Sequence, residues 1–208
     1  MYNLSYYKEE DHEEVKQFMI QNPFAMLIGV DADQKPVATQ IPILIEERDG
    51  KLFLMGHVMR KSDHQLAFEK NSNALVIFTG PHTYVSASWY SNQQTASTWN
   101  YIAVHARGNL NFLGDNILLE ILKRTTATFE NNVHSPSLFE NLPEDYVSKM
   151  AKGIIAFEIE VKEIANVFKL SQNRDAQSHE NIINKLNDRG DADSIAIAKE
   201  MSKRKIKS

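Results

Sequence analysis

The chain of 208 residues has 23 Lys and Arg against 27 Asp and Glu, a net charge of −4, and 42% hydrophobic residues. This composition is typical of a soluble globular protein and excludes a disordered chain, a collagen-like chain and a binder of polyanions through bulk positive charge. Cysteine is absent, which excludes disulfides, zinc–thiolate sites and thiol nucleophiles. No stretch has the length of a membrane span, and the first residues form neither a basic leader nor an apolar core. We therefore expect a cytoplasmic protein.

The first third of the chain predicts a helix followed by strands. Asp11 and Glu14 have the spacing of a capping box before apolar residues at helical spacing, so a short helix should end at Asn22-Pro23. Pro42 cannot donate to a strand ladder, which predicts an edge or a bulge there. Apolar or alternating runs predict an antiparallel meander of three strands, Phe24–Val30, Val37–Ile45 and Lys51–His57.

The rest of the chain continues the mixture of helices and strands. Ser62 and Gln65 form a second capping box, which opens a helix of about two turns. Further strands are predicted at Ala74–Thr79, His82–Tyr90, Trp99–Arg107 and Ile155–Val161, and helices at Asp115–Glu130, from Pro143 to Gly153, and from Asp175 in two pieces around Gly190. Six or so strands with hairpin connections and peripheral helices indicate a small decorated barrel of the α+β class.

A candidate anion site lies where the third strand meets the capped helix. A helix N-terminus offers free N–H groups and a partial positive charge, and His57, Arg60, Lys61 and Ser62 stand beside it. This arrangement suits a phosphate. The alternative is that Arg60 and Lys61 are solvated turn residues and that Ser62 only caps its own helix.

Aromatic residues are concentrated between positions 80 and 105, where both tryptophans of the chain lie. Flat aromatic faces with a few hydrogen-bonding tips suit a planar heteroaromatic ligand. The alternative is a barrel core whose tyrosine hydroxyls are satisfied at its ends.

Common nucleotide, hydrolase and metalloprotease motifs are absent from the sequence. The seven histidines include no pair at helical spacing that would place two metal ligands on one helix face. We therefore expect no metal site.

Three separated motifs resemble one family. They are GPHTYVSASWY at positions 80–90, TWNYIAVH at 98–105 and KLSQNR at 169–174. Together they closely resemble the PaiB-type FMN-binding negative transcriptional regulators, and the resemblance spans nearly the whole chain. It implies an antiparallel six-stranded split β-barrel like that of pyridoxamine-phosphate oxidase, with FMN bound in a groove between the subunits of a homodimer. The corresponding division is an FMN-binding split-barrel domain at 1–170 and a C-terminal helical extension at 171–208, packed on the barrel.

The resemblance also implies roles for individual residues. It places the FMN phosphate near His57, Arg60, Lys61 and Ser62, and the isoalloxazine ring beside Thr39 and Gln40. It implies that the groove is closed by Trp89, Trp99 and Tyr101, either of the same subunit or of the partner subunit. Lys169, Gln172 and Arg174 would reach over the cleft, or alternatively form a turn that fastens the tail to the barrel.

The chain departs from the family pattern after Arg60. Relatives continue with Asn-Pro, whereas this sequence has Ser62-Asp63. A carboxylate near a phosphate is repulsive unless it points away as a helix-start residue. The departure therefore leaves the contacts beyond Arg60 open.

Three function classes remain open at this point: a transcriptional regulator, an FMN-dependent oxidoreductase and a flavin-occupancy or redox sensor that acts through a protein partner. Direct DNA binding is weakly supported, because the second tail helix opens with Asp191 and Asp193, whose charge repels phosphates. The basic cluster at 203–207 is typical of a solvated helix C-terminus, where positive charge is favourable. Catalytic residues are not identified, although His82, Tyr84, His105 and Arg107 lie on polar strand faces and can supply a proton or hold an anion.

Overall fold

The computed structural model describes residues 1–2 and 4–204. The strands are β1 Phe24–Val30, β2 Pro36–Pro42, β3 Leu44–Arg48, β4 Lys51–Met59, β5 Asn73–Val85, β6 Thr98–Phe112 and β7 Ile154–Lys169. The helices are α1 His12–Gln21, α2 Asp63–Lys70, α3 Asp115–Glu130, α4 Glu144–Ala151, α5 Ala176–Arg189 and α6 Ala192–Lys203. The α+β class is confirmed.

The predicted helix starts are also confirmed, because their caps form as expected. Asp11 Oδ1 accepts the amides of Glu13 at 2.9 Å and Glu14 at 3.3 Å, and α1 begins one residue later. Asp175 Oδ1 accepts the amide of Ser178 at 2.9 Å and so caps α5. These short-range bonds fix where each helix begins.

The strands differ from the prediction in number and order. The sheet has seven strands rather than six, in the order β2-β1-β5-β6-β7-β4-β3. The predicted strand at 37–45 is two strands, because Pro42 has no N–H and the amide of Ile43 instead donates to Pro23 O at 2.9 Å. β5 runs through Gly80-Pro81, where a break was predicted, since the fixed φ of proline is compatible with extended backbone.

The predicted meander is confirmed only in its antiparallel hairpins: β1 pairs with β2 and β3 pairs with β4, but the two hairpins are not neighbours in the sheet. β2 and β3 follow each other along the chain but occupy opposite edges of the sheet. β4 pairs antiparallel with β7, from Phe53 opposite Glu160 to Met59 opposite Ile154. The edge position predicted for the strand that contains Pro42 is confirmed.

The chain forms two compact units. One contains Met1–Phe18, Thr79–Val104 and Ala165–Ser208, and the other contains Met19–Phe78 and His105–Ile164. We call these the tail unit and the sheet unit. The helices α5 and α6 belong to the tail unit, and the domain boundary expected after residue 170 stays a prediction.

The sheet unit buries apolar residues of its strands against helices α2 and α3. Leu27, Val76 and Phe157 are fully buried, and Leu118 and Ile121 of α3 pack with Leu44, Met55 and Ala156. A Cβ at Gly29 would lie 2.6 Å from Cζ of Phe68, so the absence of a side chain lets α2 pack closely on β1. This packing fixes the N-terminus of α2 beside the end of β4.

The tail unit has its own core, formed by residues of the terminal helices and the end of β7. Phe168, Leu170, Ile182, Leu186 and Met201 are at most 2% exposed. Among the described residues, no helix is long and apolar enough to cross a membrane.

Candidate functional site

The first group of candidate residues surrounds the turn from β4 into α2 in the sheet unit. Lys61 adopts a left-handed conformation with φ 60°, which turns the chain into the helix. Ser62 Oγ accepts the amide of Gln65 at 3.3 Å, and Gln65 Oε1 accepts the amide of Lys61 at 2.7 Å. The capping box predicted from Ser62 and Gln65 is therefore present, and it fixes the helix start at the predicted anion site.

A cavity of about 400 Å³ opens at this junction. It is lined by Thr39, Ile41, His57, Val58, Met59, Ser62, Asp63, His64 and Ile154. Gln40 is exposed on β2, where alternation of side chains puts it on the face opposite Thr39. Of the residues expected here, Thr39, His57 and Ser62 line the cavity, whereas Gln40, Arg60 and Lys61 are outside its lining.

Two histidines contribute imidazole groups to the cavity. Burial lowers the pKa of half-buried His57, which favours its neutral form. His64 is 8% exposed, and its Nδ1 lies 2.7 Å from Asp63 Oδ1. Its Nε2 is buried and has no hydrogen-bond partner among the described residues. This nitrogen is closed off from the open space of the cavity, so the polar groups that a ligand meets there are those of the other lining residues.

Asp63 lies at the start of α2. Its Oδ1 also accepts the amide of His64 at 2.8 Å, so its carboxylate is bonded to the first turn of the helix. This carboxylate lines the same cavity as His57 and Ser62. Asp63 is thus both a helix-start residue and part of the cavity lining.

Arg60 is oriented toward α3. Its Nη2 lies 2.5 Å from Oδ1 of Asp115, the first residue of that helix, and its amide donates to Gly153 O at 2.8 Å. The guanidinium is one third exposed, at 33%, and Asp115 is 82% exposed. A mostly solvated carboxylate is a weak partner, because water competes for both charges.

The second group of candidate residues lies in the tail unit. A cavity of about 390 Å³ is lined by Thr79, Gly80, His82, Trp99, Tyr101, Ile102 and Ala103. Trp99 is 53% exposed, and its ring centroid lies 6.2 Å from that of His82 and 6.0 Å from that of Tyr84. Burial raises the pKa of Tyr101, which keeps its phenol protonated. Trp99 is therefore a surface group that a planar ligand can reach, not part of a core.

Trp89 stands apart from that cavity lining. The guanidinium of Arg189 lies 4.8 Å from its ring centroid, and Arg189 also donates to Thr83 Oγ1 at 2.8 Å and Tyr84 O at 2.9 Å. These bonds connect the end of α5 to β5. The contacts of Trp89 are structural ones.

The segment Lys169–Arg174 contains side chains that bond to the backbone of the tail unit and two positively charged residues, Lys169 and Arg174. Gln172 is buried, and its side chain bonds the backbone of Phe168 and Leu170 within the same turn. Lys169 Nζ donates to Trp99 O at 2.9 Å and to Thr98 Oγ1. Arg174 stacks 4.2 Å from the ring centroid of Tyr90. Within the described part of the chain, neither Lys169 nor Arg174 forms an ion pair.

Sequence reasoning missed His64 and Asp115 as parts of the first group. The available signal for His64 was its place directly after Ser62-Asp63, where a side chain in the first helical turn lies near the cap. Asp115 gave no such signal, because it is 55 positions from Arg60. Across residues 1–2 and 4–204 no group of three or more His, Asp or Glu side chains could hold a metal ion.

Comparison with known proteins gives a family. The model of the family described as "Putative FMN-binding domain" matches residues 1–163. Protease synthase and sporulation protein PAI 2 of Bacillus subtilis is 34% identical over 186 residues, which cover 89% of each chain.

Two solved structures have a similar fold. The flavocytochrome Anf3 of Azotobacter vinelandii superposes with a TM-score of 0.60 at 14% identity, over 81% of this chain and 72% of that one. The FAD and heme binding protein of Mycobacterium smegmatis gives a TM-score of 0.58 at 19% identity, over 77% and 72%.

The match over most of the chain defines an FMN-binding protein of the α+β class. The chain belongs to the FMN-binding family to which the motifs pointed, and it is of the PaiB type. FMN is accordingly its cofactor, and the resemblance seen in the sequence is confirmed.

Proposed function

We propose that this protein is a homodimeric regulator of the PaiB type, which binds FMN in a groove between two copies of the chain. The phosphate binds at the N-terminus of α2, and the isoalloxazine ring is closed in by aromatic side chains of the tail unit of the partner copy. The observation that carries the proposal is the cavity at the start of α2, where a capped helix N-terminus lies beside Thr39, His57 and Ser62.

The residues at this junction fit a phosphate group. The helix start supplies a partial positive charge, and Thr39 and Ser62 supply hydroxyl groups. Arg60 lies outside the cavity lining, in the turn before α2, and would have to leave Asp115 to bind the phosphate. The partner of Arg60 is an exposed carboxylate, which a ligand anion can replace. Neutral His57 has a ring nitrogen that can accept a hydrogen bond from a ribityl hydroxyl of FMN.

The aromatic group fits a planar ring. Trp99 offers an exposed face beside His82, and Tyr101 adds a protonated phenol that can donate to a ring nitrogen or oxygen. Exposure of such a face costs free energy in a monomer, so a second copy that covers it together with the flavin stabilises the dimer. Lys169 supports this face because it binds the carbonyl of Trp99.

The regulatory role is supported by the relative named for protease synthesis and sporulation. The tail helices do not resemble a DNA-reading pair, because Ser194, Ile197 and Met201 of α6 are buried and its first turn carries Asp191 and Asp193. Arg204 is bonded to Glu9, Glu14 and Glu200. Lys205 and Lys207 of the basic cluster lie outside the described residues. We therefore propose that regulation acts through a flavin-dependent contact with a protein partner and not through insertion of α6 into DNA.

A second candidate function is an FMN-dependent oxidoreductase. FMN supplies hydride or one-electron chemistry when it is bound, and the protein then has to orient it and exclude water. The supporting observation is that His82 and Tyr101 line one cavity and can hold or move a proton there.

The test is a titration of the purified protein with FMN, followed by absorbance, and a mass measurement in solution with and without FMN. We expect one FMN per chain and a dimer. A monomer that binds FMN stoichiometrically would contradict the groove between copies, and a protein without FMN uptake would contradict the whole proposal. Steady oxidation of NAD(P)H by the loaded protein would favour the oxidoreductase, whereas DNA affinity that falls steeply with salt would contradict regulation through a protein partner.

A further inference from the structure

The donors expected to hold a phosphate are bonded to carboxylates of this chain. Arg60 Nη2 lies 2.5 Å from Asp115 Oδ1. The amide of His64, in the first turn of α2, donates to Asp63 Oδ1 at 2.8 Å. Two internal anions therefore occupy two of the donors at the proposed phosphate site.

We propose that Asp63 and Asp115 compete with the FMN phosphate for these donors and thereby set how strongly the protein prefers FMN over riboflavin. This inference rests on the proposed phosphate position at α2. Riboflavin lacks the phosphate, so it does not compete with either carboxylate. The two residues are determinants of ligand specificity and of the strength of binding.

Asp63 competes from inside the cavity. Its side chain is 68% exposed although it lines the cavity, so it can turn toward water when an anion binds. The N-terminus of α2 favours an anion there, whereas the charge of Asp63 opposes a phosphate.

Asp115 competes for the guanidinium. It is 82% exposed, so its exchange for a phosphate removes little hydration and leaves Arg60 paired throughout. The two carboxylates act on different donors, one on a backbone amide and one on a side chain.

The test uses Asp63→Asn and Asp115→Asn, which keep an acceptor oxygen and remove the charge. We expect each to lower the dissociation constant of FMN by about three- to tenfold, because one like-charge interaction near the phosphate is removed. Riboflavin should bind within about twofold of the original protein, and the gain for FMN should shrink as salt screens the charges. Both constants are measured by flavin fluorescence on the full chain.

Glu163→Gln is the matched control. Glu163 lies 3.5 Å from Arg107 Nη1, so this change also removes one negative charge and one exposed arginine partner, but away from the cavity at α2. It should leave the ratio of the FMN and riboflavin constants unchanged. An equal gain in this control would show an effect of net charge and overturn the competition.

The outcomes also separate this inference from the proposed phosphate site. If Arg60→Ala weakens FMN selectively but both asparagine variants leave the ratio of constants unchanged, only the competition is wrong. If Arg60→Ala weakens FMN and riboflavin equally, the phosphate site itself is wrong. Asp115 lies in the first turn of α3 and its replacement can weaken that helix, so Asp63→Asn provides an independent measurement.

Discussion

The ammonium group of Lys169 donates to the carbonyl oxygen of Trp99 at 2.9 Å, 70 positions away along the chain. A basic residue at the end of β7 therefore holds the backbone of Trp99, a candidate ring-binding residue whose side chain is exposed. Burial, and then the charge of Arg174, lower the pKa of Lys169. The role that this contact defines is the positioning of Trp99.

Lys169→Met should remove the bond to Trp99 and keep most of the side-chain volume. We expect FMN and riboflavin to bind about threefold to tenfold more weakly and by the same factor, since a lost hydrogen bond to a charged group acts on the ring face and not on the phosphate. The measurement is a flavin titration together with Trp fluorescence. Selective loss of FMN would instead show that Lys169 binds the phosphate directly.

Arg60→Ala should weaken FMN by about 10- to 100-fold and riboflavin by less than about twofold, because it deletes a charge-assisted contact to the phosphate alone. Asp115 loses its partner in the same variant, but an exposed ion pair contributes little to stability. The thermal midpoint without flavin should therefore change little. Equal weakening of both flavins would count against a phosphate at α2.

Gly108→Ala tests the close approach of β6 and β7. An added Cβ would lie 2.1 Å from the backbone oxygen of Glu160, so a strand must shift, and we expect a loss of at least about 3 kcal/mol in the free energy of unfolding. Gly153→Ala is the control, because its Cβ would meet Met150 O at an ordinary 3.5 Å. Denaturant unfolding measures both, and similar values for the two variants would contradict the close approach of these strands.

Arg204→Ala should destabilise the tail unit by about 2 kcal/mol. It leaves Glu9, Glu14 and Glu200 without their common cation, and the exposure of these carboxylates keeps the loss below that of a fully buried pair. Lys203→Ala removes only an exposed partner of Glu200 and should cost much less. Chemical denaturation compares the two. An Arg204 variant as stable as the Lys203 variant would show that this network contributes little.

The cap of α5 should make the protein sensitive to acid. Hydrogen bonds from the Ser178 side chain and backbone lower the pKa of Asp175 from 3.8 to about 2. Because the folded pKa is depressed, this stabilisation is present above pH 3.8 and is lost as the pH falls toward 2. Asp175→Asn should lose less stability over that interval than the original protein, as followed by circular dichroism. Parallel acid profiles would contradict the assignment.

Much of the fold follows from patterns within a few residues. The capping boxes at Asp11 and Ser62 and the two tail helices form as predicted, because each of these helices is capped by a side chain that reaches a backbone amide three positions away. The bounds predicted for α3 are also correct, although Gly114 caps this helix without a side-chain bond. The strand order did not follow. Pro42 predicted an interruption, but the sequence did not show which strands lie beside β4. That depends on Phe53–Met59 pairing with residues of β7 about a hundred positions later.

The candidate residues show the same division. The sequence by itself determined the family, the flavin and the position of a capped helix start among basic residues, since motifs and caps are properties of contiguous residues. Tertiary structure alone decided that Arg60 meets Asp115, that Thr39 rather than Gln40 faces the cavity, that Gln172 turns inward and that Trp99 lies at the surface. Those outcomes depend on packing between segments far apart in the chain, and no local pattern encodes which of several suitable side chains will meet there.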